Sequence, residues 1–392
     1  MTHHQPIPAP GSLPVPRTPA EAHDWLRLAR STHVGPRSFR ALLARFGSAG
    51  AALEALPDVA GEGGRRPEAA PAGLVDEELG RARALGARLL CLGAPDYPAL
   101  LSEIADPPPM LWARGSPGLA HGSCIAVVGA RNASSGGRRM AALLAQELSG
   151  RGHAIVSGLA RGVDTAAHRA ALASGTIAVL AGGLDRIYPA ENDDLAEEIS
   201  LNGLLLSEAA MGETPTSRHF PRRNRIVSGL SRAVVLVEAA ERSGSLITAR
   251  LALEQGREVL AVPGSPLDPR VGGCNRLLRQ GAMLVRDADD VEEALEYPGN
   301  GALAASAFPG EPPEAEAPGP DAQARAEAPG GADTPGGLPE RVESLLSHAP
   351  ASEDDILRQA GAPAWQVLQV IGELELTGRI ERRPGGGLVR AG

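Results

Sequence analysis

The stretch Ile125-Ala-Val-Val-Gly-Ala-Arg-Asn-Ala-Ser-Ser-Gly-Gly137 reads as a buried strand, a glycine turn and the start of a helix. Four apolar residues in succession, without polar alternation, mark a strand covered on both faces, as in a parallel sheet flanked by helices. Working outward, short apolar runs recur at residues 154–156, 177–180, 204–206, 234–237 and 259–262, with 88–92 as an extra strand ahead of the set. Helical patterns fill intervals such as 138–148 and 164–172, whereas Asp106-Pro-Pro-Pro-Met-Leu-Trp112 reads as turn-rich. Strand and helix alternating in this way predict an α/β core with a parallel sheet and a ligand edge at the carboxyl ends of the strands.

Chemistry is therefore sought in the turns that follow the strands. In Gly129-Ala-Arg131 an arginine stands where a dinucleotide fold places its second glycine. Its side chain obstructs a pyrophosphate while supplying a bidentate anion donor, so no nicotinamide cofactor is expected. The next turn, Ser157-Gly-Leu-Ala-Arg-Gly-Val-Asp-Thr-Ala-Ala-His168, sets Asp164 and His168 at i, i+4. That pair suits an acid–base dyad or two metal ligands, but no third ligand is placed nearby, and structural hydrogen bonding is the expectation.

His219-Phe-Pro-Arg-Arg-Asn-Arg-Ile-Val-Ser-Gly229 places Pro221 at an expected helix start, with Arg222, Arg223 and Arg225 in the first turn. Cations there oppose the helix dipole unless an anion occupies the site, and Phe220 beside them suits base stacking. The plainer alternative is a solvated, arginine-rich helix start. In Arg242-Ser-Gly-Ser-Leu-Ile-Thr-Ala249 the Gly244–Ser245 turn opens a helix with the Ser245 and Thr248 hydroxyls near free N–H groups. That is either an anion cradle or ordinary capping by Ser243 or Ser245. The turns at Gly129, Phe220 and Gly244 all fall on one sheet edge, a convergence that capping alone does not explain.

Composition narrows the class. All 38 basic residues are arginine, which excludes a P-loop lysine, a Schiff base and a lysine general base. A net charge of −9 confines any nucleic-acid site to a local patch. Cys91, Cys124 and Cys274 are isolated, as expected of reduced core thiols in a cytoplasmic protein; no metal site, signal peptide or membrane span is expected. Residues 299–337, rich in Gly, Ala, Pro and Glu, read as a flexible linker, and 61–73 as a shorter break.

Taken together, Gly129-x-Arg131, the 157–168 turn, Phe220-Pro-x-Arg-Asn-Arg-Ile-x-Ser-Gly-Leu230, Arg242-Ser-Gly-Ser-Leu-Ile-Thr248 and Val262-Pro-Gly264 resemble the DprA (Smf) family. The resemblance spans some two hundred residues of the chain, in order. It implies an extended Rossmann-like core that binds no dinucleotide, and a non-enzymatic protein that binds single-stranded DNA and loads RecA during natural transformation. It also implies a homodimer formed through the C-terminal part of the core, with single-strand-binding protein as a further partner. Carried over by position, Arg131 contacts DNA phosphate, Phe220 is the family aromatic, Arg223 and Asn224 are its Arg-Asn pair, and Gly244 and Ser245 hold phosphate. Arg222 falls at a position that the family motif leaves open.

The expected division is a tail at 1–19, a SAM-like helical unit at 20–73, the Rossmann-like core at 74–298, the linker at 299–337 and a winged-helix module at 338–392. His33-Val-Gly-Pro-Arg-Ser-Phe-Arg-Ala-Leu-Leu-Ala-Arg-Phe-Gly-Ser48 looks like a helix–Gly-turn–helix unit of the SAM-like or helix-hairpin-helix kind, whose turn can present N–H groups to phosphate. The same pattern is a common packing unit, and packing is the expectation. In the last module carboxylates outnumber arginines and the third helix, 364–375, contains no arginine, so a partner contact is expected in preference to groove reading. The rival function is hydrolysis of nucleoside monophosphates. It needs a carboxylate in a Pro-Gly-Gly-x-Gly-Thr-x-x-Glu segment, which Val262-Pro-Gly-Ser265 lacks.

Overall fold

The computed structural model describes residues 13–59 and 66–297 and, beyond them, individual residues between 338 and 390. The tail up to residue 12, residues 60–65 of the shorter break and the expected linker lie outside the described residues. Two compact units divide between Ala315 and Glu316.

The first unit opens with four helices, α1 (Pro19–Ala29), α2 (Pro36–Phe46), α3 (Ala49–Ala55) and α4 (Ala72–Leu85). Thr18 caps α1 by accepting from the Glu21 N–H, and Pro19 takes the first position, where its missing N–H costs nothing. Trp25 meets Phe39 edge-on, with ring centroids 5.0 Å apart. The same core runs on into the sheet. The Trp25 indole N–H donates to the Pro109 carbonyl (3.0 Å) and that of Trp112 to Glu78 (2.6 Å). Arg30 pairs with Glu78 (2.7 Å) and donates to the Glu208 carbonyl (3.0 Å).

The sheet comprises β1 (Arg88–Cys91), β2 (Met110–Gly115), β3 (Cys124–Gly129), β4 (Ala154–Ser157), β5 (Thr176–Leu180), β6 (Leu204–Ser207), β7 (Ala233–Val237), β8 (Glu258–Ala261) and β9 (Met283–Leu284). Their order is β1-β2-β6-β5-β4-β3-β7-β8-β9. From β6 to β9 all neighbours are parallel, while β2 pairs antiparallel with both β6 and β1. The strands anticipated from the apolar runs are present. The segment read as turn-rich instead ends in β2, and β9 is an additional short edge strand.

Connecting helices are α5 (Ala99–Ser102), α6 (Ser135–Gly150), α7 (Val163–Ala171), α8 (Asp193–Asn202), α9 (His219–Leu230), α10 (Ser245–Glu254), α11 (Gly272–Arg279) and α12 (Ala288–Glu296). Side-chain alternation divides the core in two. Ile125, Val127, Val235 and Val237 pack with α6, α7 and α12; Ala126, Val128, Val234 and Leu236 pack with α9, α10 and α11. Chain order reverses on either side of β3, with β4 and β5 on one flank and β7 and β8 on the other. The crevice at such a switch point is where open α/β sheets place their ligands. Gly129 ends β3 there, and any Cβ on it would collide with the Val237 carbonyl. The glycine is therefore required by the close approach of two strand ends.

Cys91, Cys124 and Cys274 are buried and unbridged, and burial pushes the first two thiols up to about 12 and the third to about 11. Such thiols are inert at neutral pH. In the second unit β10 (Ala351–Ser352), β11 (Ile380–Arg382) and β12 (Gly387–Arg390) form a sheet of order β10-β12-β11. Val342, Ile356, Val367, Ile371, Leu374, Ile380 and Leu388 form its core. This is the winged-helix arrangement expected from the sequence. Among the described residues no helix is long and apolar enough to cross a membrane.

Candidate nucleic-acid interface

At the switch point the N-terminus of α6 already holds an anion. Ser134 caps it by accepting from the Gly137 N–H (2.9 Å), and the Glu238 carboxylate accepts from the Ser134 N–H (2.8 Å) and from its hydroxyl. Glu238 is held at φ 54°, a left-handed conformation rare for residues with a side chain. A side chain on Gly137 would run into it. The position a pyrophosphate takes in dinucleotide folds is thus filled by the protein's own carboxylate. The sequence reading did not find Glu238; its signal was an acid ending the β7 run, opposite the first glycine turn.

The Ser157–His168 turn is built around its titratable pair. The Asp164 carboxylate accepts from the backbone N–H groups of Gly158 (3.0 Å) and Ala160 (3.3 Å). His168 Nε2 accepts from the Leu159 N–H (3.3 Å), which leaves the ring proton on Nδ1 to donate to Thr176 Oγ1 (2.7 Å). The Thr176 hydroxyl donates to the Ile155 carbonyl (2.9 Å), and the Asn192 amide to the Leu159 carbonyl (2.9 Å). Burial, aided by the Arg223 charge, depresses the imidazole to about 3, so it is neutral. Burial raises Asp164, and Arg223 opposes that rise. Both groups hold backbone, which agrees with the structural role expected of them. Among the described residues no group of three or more His, Cys, Asp and Glu is placed to hold a metal ion.

Helix α9 begins at His219, two residues ahead of the expected start, which moves Arg223 and Arg225 out of the first turn and onto its buried face. Arg223 is 7% exposed, and its Nη1 donates to the carbonyls of Gly158 and Val179, the latter at 2.8 Å. Burial lowers its guanidinium to about 10, with the Asp164 carboxylate opposing. Arg225 pairs with Glu208 (2.5 Å) and Asp106 (3.5 Å) and donates to the Asp106 carbonyl (2.7 Å). Both arginines tie strand ends and loops together, and this corrects the expectation that they lie open for phosphate.

What the edge presents outward is smaller and more specific. Arg131 is exposed, and its guanidinium lies over the Phe220 ring, 4.9 Å from the centroid. Phe220 in turn meets Tyr188 edge-on at 5.9 Å. Arg222 is exposed two residues further along α9. Asn224 accepts from the Arg223 Nε–H (3.2 Å) and donates to the Gly244 carbonyl (3.4 Å), which joins α9 to the turn before α10. The sequence motifs at Arg131 and Phe220 are thus brought into contact. Tyr188 was missed; its signal was an aromatic residue in the connection after β5, on the same edge.

The Gly244–Ser245 turn is less open than an anion cradle requires. The Ser245 N–H donates to Ser243 Oγ (3.3 Å), and those of Leu246 and Ile247 to the carbonyls of Ser243 and Gly244. Thr248 is buried. These N–H groups are taken up by the Ser243 hydroxyl and by turn carbonyls, and Gly244, the N-cap of α10, is exposed.

Residues 88–296 match the family model for DNA recombination-mediator protein A, 19–80 that of the DprA-like N-terminal HHH domain and 311–386 that of the DprA winged helix domain. The DNA processing protein DprA of Bacillus subtilis is 46% identical over 216 residues, covering 54% of this chain and 73% of the relative. Protein Smf of Escherichia coli is 39% identical over 293 residues, covering 74% of each. Among solved structures, the X-ray structure of DNA processing protein A from Streptococcus pneumoniae superposes with a TM-score of 0.54 at 42% identity, covering 57% of this chain and 77% of that one. That of Helicobacter pylori, described for a single-stranded DNA binding mode, gives 0.50 at 32% identity over 54% and 95%. With its central sheet and both flanking modules matched, the chain belongs to the DNA recombination-mediator protein A family, whose members carry the names DprA and Smf.

Proposed function

We propose that the protein binds single-stranded DNA without catalysing a reaction, and mediates loading of RecA onto that strand in natural transformation and recombination. The observation that carries the binding reading is the exposed Arg131 guanidinium stacked on Phe220 beside Tyr188, at the switch-point edge. A cation held over an aromatic face meets a phosphate with its N–H groups while the rings meet bases, which is sequence-tolerant recognition. The non-enzymatic reading is supported by Asp164, His168 and Glu238, whose polar atoms hold backbone. RecA loading follows the family relationship.

A homodimer in the cytoplasm, with single-strand-binding protein as a further partner, completes the proposal. The dimer is supported by the short edge strand β9, which carries exposed Leu284, and by exposed Leu267 in the connection after β8. Two platforms on one strand reinforce each other through effective concentration. The working division remains 20–73, 74–298 and 338–392 around the linker at 299–337. Gel shifts with single-stranded and duplex DNA of equal length test the reading, alongside an assay for base release from nucleoside monophosphates. Preference for the single strand without base release is expected. Equal affinity for both, or base release, overturns it.

A further inference from the structure

A cavity of about 750 Å³ lies between the α1–α2 turn, at residues 29–38, and the strand edge with the start of α9. Most of its charged lining is already paired. Arg30 is held by Glu78, Arg223 by two carbonyls, Arg225 by Glu208 and Asp106, and His219 by Glu213 at 3.2 Å. Two lining cations remain, Arg37 from the helical unit and Arg222 from α9, both exposed and neither in an ion pair among the described residues. The carboxylates of Asp106, Glu208 and Glu213 also line the groove; the first two share Arg225, and Glu213 faces the His219 ring. The two lining arginines outside any ion pair thus come from opposite walls. Among the apolar lining residues Val34 and Pro36 are partly exposed, whereas Met110 and Ile226 are buried.

We infer that this groove is a second phosphodiester subsite, in which Arg37 and Arg222 engage the backbone of a single strand leaving the Arg131–Phe220 platform. The inference rests on the single-strand reading. Three features support a nucleic-acid strand as occupant. Arg222 follows Phe220 by two residues on α9, so groove and platform share one helix end. Opposed arginines suit a phosphate chain. The volume is large enough for a phosphodiester segment. The α1–α2 turn then acts as a DNA contact as well as a packing element.

The test compares the full-length protein with Arg37→Ala, Arg37→Lys and Arg131→Ala on oligothymidylates of about 5 and about 25 nucleotides, a span that brackets common single-strand site sizes. Wild type gains affinity with length; Arg37→Ala should cut that gain about fivefold and flatten the salt slope on the long strand by about 0.7. Arg37→Lys, which keeps the charge, should recover most of it. Arg131→Ala should weaken both strands. An Arg37→Ala protein with undiminished length gain and unchanged salt slope would overturn the groove and leave the platform intact. Loss confined to Arg37→Ala, with Arg131→Ala silent, would overturn the platform reading instead.

Discussion

Arg131 and Arg223 show how one residue type takes opposite parts within the same edge. Arg131 is exposed and bears on an aromatic ring, whereas Arg223 is enclosed beneath the ends of β4 and β5. Replacing Arg131 with alanine should therefore weaken single-strand binding by about 1.5–3 kcal/mol and leave the melting temperature unchanged. Arg223→Ala leaves two strand-end carbonyls and the Asp164 carboxylate without their cation, and should cost about 3–5 kcal/mol of stability in urea unfolding. Equal melting behaviour of the two variants would refute this division. His168 adds a pH signature. Its folded pKa lies below the ordinary imidazole value, so the unfolded chain binds the proton more readily. Stability is then lost as pH falls from about 6.5 towards 3. Asp164, raised by burial, acts in the opposite sense by taking up its proton more readily in the folded state. Comparing urea midpoints of wild type and His168→Gln between about pH 7 and 5 isolates the imidazole, and the wild type should fall more steeply.

Helix α6 depends on a residue from another strand connection, since its first turn contains no acid and Glu238 supplies the negative charge. Glu238→Gln keeps the shape and removes the charge, and should lower stability by about 1 kcal/mol, read as a shift in urea midpoint at constant slope. An unchanged midpoint would mean that Ser134 alone carries the cap. At this scale the sequence was legible where a residue's partners lie in its own element. The buried parallel strands declared themselves through unbroken apolar runs such as that of β3. Strand β2 did not, because three prolines precede it and its partners β1 and β6 are fixed only by tertiary pairing. The beginning of α9 was misplaced because Pro221 suits a first position but stands in the third. Arg225 and Arg223 read as anion binders since nothing local shows which carbonyls and carboxylates the fold leaves beside them. Arg131 and Phe220 were legible because their turns follow strands, and topology sends such turns to one edge.

The whole molecule joins a helical unit and a Rossmann-like sheet through one continuous core, crossed by the hydrogen bonds of Trp25, Trp112 and Arg30. The last unit has its own core and an acidic balance. Deleting residues 338–392 should therefore change single-strand affinity by less than about threefold, which is under 1 kcal/mol. A tenfold loss with the oligomeric state unchanged would place DNA binding on the last module, at Arg382 and Arg383. The claim on which the rest depends is that single-stranded DNA lies on the Arg131–Phe220–Tyr188 edge. Photo-crosslinking of the full-length protein to an oligonucleotide carrying 5-iodouracil, with the attached peptide mapped by mass spectrometry, addresses that position directly. The account predicts attachment at Phe220 or Tyr188, abolished by Arg131→Ala. Attachment confined to residues 338–392, or to a sheet face away from this edge, would contradict it.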